Sequence, residues 1–112
     1  MMSSGLKKKL IERGNIYLVK SSDDSAASPA LILSNDVHNR MGNSVIAVPI
    51  SYNTSKVYPF EAPVLVGSRE AKAMCDQIKP IQIELIGDQV GGISAKEMGT
   101  IERSLKLVLD TI

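Results

Sequence analysis

The sequence predicts one mainly β (α+β) domain, a small barrel or strongly bent sheet of five or six short strands with a single C-terminal helix. Two observations predict the sheet. Short apolar segments recur between polar loops rich in Ser, Asn and Asp, and Pro and Gly punctuate them repeatedly. A third predicts the helix: from Ser94 onward the pattern changes to apolar residues spaced by three and four. At 112 residues the chain is long enough for one core and too short for two.

Residues 1–12 are Lys-rich, with Lys7, Lys8 and Lys9 in a row, and read as a basic N-terminal extension to a domain spanning 13–112. Ile16 to Lys20 alternates as a strand, Tyr17 and Val19 on one face and Ile16 and Leu18 on the other. Ser21 to Ser28 is a loop of small polar residues that ends at Pro29. Ala30 to Leu33 is a continuous apolar run, as expected of a strand buried on both faces. Ser34 to Asn43 is a loop with room for one helical turn. Val45 to Ile50 is the next strand, which Pro49 is expected to end or to confine to an edge, having no N–H for a ladder.

Ser51 to Pro59 is a second polar loop and Phe60 to Val66 another strand. Gly67 to Ala73 reads as a connection with helical potential. Met74 to Ile78 and Ile81 to Leu85 read as strands separated by Pro80, and Gly87, Gly91 and Gly92 as turn markers. Ser94 and Glu97 have the Ser-x-x-Glu spacing of a capping box, and Met98, Ile101, Leu105, Val108 and Ile112 form one apolar stripe for packing onto the sheet.

The net charge of +1 speaks against nucleic-acid binding by bulk charge, so any polyanion must meet a local cluster of cations. No apolar run reaches the ~18 residues of a membrane span, and the basic start lacks the features of a secretory signal. The single cysteine, Cys75, rules out an intramolecular disulfide, and a cytoplasmic protein is expected. No Cys/His cluster suggests a metal, no Gly-rich phosphate loop is present, and no cofactor is expected.

Several blocks, in order, resemble the MazF/PemK/Kid toxins. Arg13-Gly14-Asn15-Ile16-Tyr17 resembles their RGDIY-type opening. Pro29-Ala30-Leu31-Ile32-Leu33-Ser34-Asn35-Asp36, with Asn39 and Arg40, resembles their RPALVLSND…N block. Val45 to Ser51, Tyr58-Pro59-Phe60-Glu61, Asp76 to Ile81 and the helix from Ser94 resemble further familial segments. The resemblance implies an SH3-like barrel of the MazF/CcdB type acting as a homodimer. It implies metal-independent cleavage of single-stranded mRNA at short sequences, leaving a 2′,3′-cyclic phosphate and a 5′-hydroxyl. It also implies a cognate antitoxin as partner.

Such a reaction needs groups that move protons at the 2′ and 5′ oxygens and donors or cations on the phosphorane. By resemblance, Ser51 supplies the hydroxyl that follows the Pro-Ile pair, and Ser28 stands where the family carries an Arg. Lys20, Lys56, Arg40 and Lys79 are the cations nearest in sequence. Asn53, Thr54, Lys56, Tyr58 and Gln77 are candidate RNA contacts with Lys20 and Lys79, since single-stranded sites combine basic grooves with aromatics.

Each also has a plain reading: Ser51 as a turn cap, Asn53 and Thr54 as loop polarity, Lys56 as solvated, Tyr58 as half-buried, Gln77 as buried and satisfied by backbone. His38 reads as a surface residue, Cys75 as a small hydrophobe, and Lys7 to Lys9 as a solvated tail. Two alternatives to the endoribonuclease stand: a catalytically weakened family member that binds an antitoxin or regulatory partner, and a CcdB-like gyrase poison.

Overall fold

A computed structural model describes residues 10–21 and 26–110; Lys7 to Lys9, Asp23, Asp24 and Ile112 lie outside them. In chain order the elements are β1 (Asn15–Val19), β2 (Ser28–Ile32), α1 (Asp36–Met41), β3 (Ser44–Ser51), β4 (Glu61–Val66), β5 (Arg69–Met74), β6 (Lys79–Gln82), β7 (Ile86–Gly92) and α2 (Ala95–Leu109). Two 3-10 turns, Cys75–Gln77 and Ile83–Leu85, flank β6. The strands run antiparallel in the order β4-β5-β3-β2-β1-β7, with β6 beside β3.

That sheet curls into a half-barrel. β4 and β7 end the strand order, yet Gly91 of β7 lies against Val66 of β4, where a Cβ would sit 3.5 Å from Val66 Cγ1. β3 is the hinge of the curl. Residues 44–47 pair with β6, 47–49 with β2, and 50–51 with β5.

Curling gives the sheet two packed faces. Ile16, Leu31, Val48, Ile50 and Val64 form the larger core with Ile101 of α2, which is fully buried. Tyr17, Ala30, Ile32, Val45, Ala47 and Ile81 form a second core on the opposite face. Ile11, from the segment read as an extension, is 3% exposed and belongs to this second core. The two faces explain why Ala30 to Ile32 is continuously apolar: alternate residues feed different cores.

Arg13 joins the chain start to the helix: its Nε donates to the Leu33 carbonyl at 2.9 Å and its guanidinium pairs with Glu102 at 3.1 Å. The Ser34-Asn35-Asp36…Asn39 block builds α1. The Asn35 side chain caps it by accepting the His38 N–H at 2.9 Å. Asp36 accepts the Arg13 N–H at 2.8 Å, and buried Asn39 donates to the Ser34 carbonyl at 3.0 Å. The α2 capping box is complete, with Ser94 and Glu97 bonded reciprocally. Met98 and Leu105 pack on the larger core beside Ile101.

Four local expectations are corrected. β3 runs through Pro49 as a central strand, because Pro49 falls where its outer edge passes from β6 to β5. Gly67 to Ala73 is not helical: Gly67 and Ser68 turn a two-residue hairpin between β4 and β5. Gly67 there takes φ +63 while Ser68 keeps an ordinary φ, the type II′ pattern. Met74 ends β5, and Cys75 to Gln77 form a 3-10 turn rather than a strand; β6 starts at Lys79 and contains Pro80. Gly87, Gly91 and Gly92 lie inside β7, the strand missed in the sequence, rather than at turns. There they allow close approach: a Cβ at Gly92 would lie 3.1 Å from Asn15 Oδ1.

Candidate functional site

Directly paired residues of an antiparallel ladder project to the same face, as do alternate residues along a strand. Val19 pairs with Ser28, Ala30 with Pro49, Ser51 with Lys72, and Lys72 with Pro63. Lys79 pairs with Ala47. Ser28, Ser51, Lys72, Lys79 and Glu61 therefore share one face of the curled sheet, the face of the second core. The β2–β3 ladder ends at Ala30–Pro49. Its register, continued by two residues, sets Ser28 across from Ser51 where β3 departs toward β5.

Beside this polar row is a cavity of about 590 Å³ lined by Lys20, Ser21, Ser28, Lys79 and Gln82 on a floor of Val19 and Ile81. The cavity brings together three residues singled out in sequence, Lys20, Ser28 and Lys79. Among its described lining residues there are two ammonium groups and no carboxylate, so it is suited to an anion. The backbone N–H of Lys20 is fixed on the Leu85 carbonyl at 2.9 Å, which sets where its side chain departs.

Ser51 is half-buried at the end of β3, and its Oγ accepts the Asn53 N–H at 3.2 Å, the turn-capping bond of the plain reading. That bond leaves the hydroxyl proton available to a ligand. The Asn53 amide oxygen is used locally, accepting from Ser55 N and Oγ at 3.3 and 2.8 Å. Thr54 lines a different groove, of about 400 Å³, with Val57, Leu65 and Glu70. Lys56 lies 5.0 Å from the centre of the Tyr58 ring, which stacks on Phe60 at 5.2 Å with an interplanar angle of 3°. Tyr58 is nevertheless 42% exposed, not half-buried, and its ring touches these neighbours of its own loop. Gln77 is exposed on its 3-10 turn, not buried.

His38 is exposed on α1. Cys75 is fully buried in the larger core, and burial first, then the charges of Asp76 and Glu61, push its thiol up to about 11, which keeps it protonated and inert.

Three residues escaped sequence reasoning. Lys72 lies directly across from Ser51 and is buried, with Nζ 3.0 Å from Glu61 Oε1 and donating to the Lys56 carbonyl at 2.8 Å. Burial acts to raise the Glu61 carboxyl, but the Tyr58 N–H and the Lys72 ammonium outweigh it and hold Glu61 below the usual carboxylate range. Arg69 stacks its guanidinium 3.7 Å from the centre of the Tyr52 ring, next to Ser51. Lys72 and Arg69 fall in Gly67 to Ala73, which reads in sequence as a connection, so neither they nor Glu61 in the neighbouring strand has a cross-strand partner there.

Residues 12–109 match the family described as PemK-like, MazF-like toxin of type II toxin-antitoxin system. This chain belongs to that family of toxins. The Mycobacterium tuberculosis protein named endoribonuclease MazF9 is 33% identical, over 90% of this chain and 98% of its own. The Escherichia coli (strain K12) endoribonuclease toxin MazF is 28% identical, over 80% of this chain and 81% of its own. Solved structures share the fold. A mycobacterial endoribonuclease in complex with its cognate antitoxin superposes with a TM-score of 0.81 at 24% identity, covering 91% of this chain and 97% of that one. A MazE–MazF structure from Deinococcus radiodurans reaches 0.79 at 19% identity, covering 93% and 99%. No helix among the described residues is long and apolar enough to cross a membrane.

Proposed function

We propose that the chain is the toxin of a type II toxin–antitoxin system and acts as a metal-independent, sequence-specific endoribonuclease on single-stranded mRNA. The observation that supports this reading is a shared face: by β-ladder register Ser51 lies on the same side of the sheet as Ser28 and Lys79, and those two line the cavity with Lys20. A phosphodiester fits there with its charge on Lys20 and Lys79, and Ser51 donates its hydroxyl to a non-bridging oxygen. The 2′-oxygen of the preceding ribose attacks phosphorus and loses its proton. A 2′-O–P bond forms, the P–O5′ bond breaks, and the departing 5′-oxygen takes up a proton. The products are a 2′,3′-cyclic phosphate and a 5′-hydroxyl.

In this reading Asn53, Thr54, Lys56, Tyr58 and Gln77, none of which lines the cavity, contact the RNA strand where it continues beyond it. The protein works as a cytoplasmic homodimer, and a cognate antitoxin is its protein partner. Ser28, in the place where the family carries Arg, supports a second reading in which the chain keeps the antitoxin-binding role with weakened catalysis.

The test is incubation of the purified protein with long single-stranded RNA in EDTA, mapping cut positions and end chemistry. Discrete cuts with 5′-hydroxyl ends that disappear in Ser51→Ala support the proposal. Uncut RNA from a folded protein that still binds antitoxin favours the second reading. Cleavage undiminished in Ser51→Ala removes Ser51 from the mechanism.

A further inference from the structure

Lys72 occupies a strand position between Ala71 and Ala73, which are 2% and 0% exposed. A buried ammonium is costly there unless fully paired, and a well-packed apolar residue would commonly serve stability as well or better. The bonding of Lys72 shows what the ammonium adds. Its Nζ reaches Glu61 Oε1 at 3.0 Å and donates to the Lys56 carbonyl at 2.8 Å. The same Glu61 oxygen accepts the Tyr58 N–H at 3.0 Å, and the Glu61 N–H donates to the Tyr58 carbonyl at 2.9 Å. Ser104 of α2 adds a bond to the Pro59 carbonyl at 3.3 Å. The 52–60 segment is therefore held at residues 56, 58 and 59 from beneath, and at its start by the Asn53 N–H on Ser51 Oγ.

We propose that Lys72 and Glu61 form a buried latch that positions the 52–60 segment beside Ser51 for RNA cleavage. The latch rests on the endoribonuclease reading above. Lys72 is a positioning residue: its charge is neutralised by Glu61, so it acts on the substrate through the segment it holds and not as a phosphate cation. Because Lys72 is the cross-strand partner of Ser51 on the same face, the geometry of the segment and of the hydroxyl are set by one pair of strands. Glu61 and Lys72 face each other diagonally across β4 and β5, so the hairpin supplies both halves.

The experiment compares wild type with Lys72→Met, Glu61→Gln, Lys72→Arg and the double variant Glu61→Gln/Lys72→Met. The double variant carries no uncompensated buried charge and folds if either single variant does not. Two quantities are read on folded protein: amide exchange at Tyr58, and single-turnover cleavage of a single-stranded RNA with the RNA dissociation constant measured alongside. In the double variant Tyr58 exchange should accelerate at least ~10-fold as the segment opens locally. The cleavage rate should fall at least ~10-fold with RNA affinity changed less than ~3-fold, since misplacement near 1 Å is enough for such losses. Lys72→Arg should recover most of both. A purely structural pair would lower thermal stability and leave the cleavage rate per folded molecule unchanged. Wild-type cleavage in the double variant, or unchanged Tyr58 exchange, overturns the latch. Ser51→Ala run in parallel separates the two proposals: full cleavage there with impaired Lys72 variants overturns the Ser51 site and keeps the latch. RNA left uncut by wild type overturns the activity, and the exchange data then decide the latch.

Discussion

Replacing Glu97 with Ala should destabilise the protein by about 2 kcal/mol at pH 7. Glu97 Oε1 accepts the Ser94 N–H at 2.8 Å, closing the capping box, and Oε2 accepts the Leu65 N–H of β4 at 2.8 Å. One carboxylate thus satisfies an orphan donor at the helix start and an edge donor of the sheet. Loss of a helix cap costs about 1 kcal/mol. A charge-assisted bond to backbone contributes about 1.5–3 kcal/mol, and the exposure of this one places it at or below the low end. The sum corresponds to a melting temperature lower by roughly 10 °C in a domain of this size. Glu97→Gln keeps one oxygen acceptor and should lose about half as much.

The pH dependence of that loss is fixed by sign. Burial acts to raise the Glu97 carboxyl, but the Ser94 and Leu65 hydrogen bonds outweigh it and hold it below its ordinary value of 4.5. A carboxyl lowered on folding contributes stability above the unfolded pKa, and that contribution is lost as pH falls through the folded value. Urea unfolding of wild type and Glu97→Gln at pH 7 and pH 3 reads this directly. The gap should shrink at pH 3, with the slope of the unfolding line unchanged. A Glu97→Ala cost under about 0.5 kcal/mol at pH 7, the range of an ordinary surface change, would refute the reasoning, as would an equal gap at both pH values.

Ile101→Ala empties a fully buried site between α2 and the larger core and should cost about 2–5 kcal/mol by chemical denaturation, with Lys106→Ala as a near-neutral control. Cys75, fully buried with its thiol pushed up to about 11, should resist a thiol reagent at pH 7 in folded protein and react fully in denaturant; rapid native labelling would contradict its packing. Ser28→Arg adds a guanidinium beside the cavity of Lys20 and Lys79 and should raise the rate of RNA cleavage by ~10-fold or more, as a donor aimed at developing phosphate charge does. An unchanged or lower rate would show that this position does not limit catalysis.

Strand alternation was legible at Ile16 to Val19 because each face there meets its own core, and the α2 stripe was legible because a helix needs only one buried side. Arg69 to Met74 was not legible. Glu70-Ala71-Lys72-Ala73 consists of residues that favour helix and are depleted in strands, so local propensity points away from the strand that tertiary pairing imposes. β7 was hidden for the opposite reason: glycines that suggest turns are there to let β1 and β4 come close. The Ser34-Asn35-Asp36…Asn39 block was visible as a motif, and only the structure revealed it as a hydrogen-bonded cap for α1.

The sequence by itself determined the class of fold, the family, and the candidate groups Ser51, Ser28, Lys20 and Lys79, because local pattern and motif order are one-dimensional properties. Which of these groups meet was decided only by tertiary structure. Ser51 faces Lys72 through a β3–β5 pairing between residues distant in sequence, and Lys20 meets Lys79 across a cavity built by separate strands. Register carries that information, and register is fixed by which face each strand buries, a property of the folded sheet that no single segment contains.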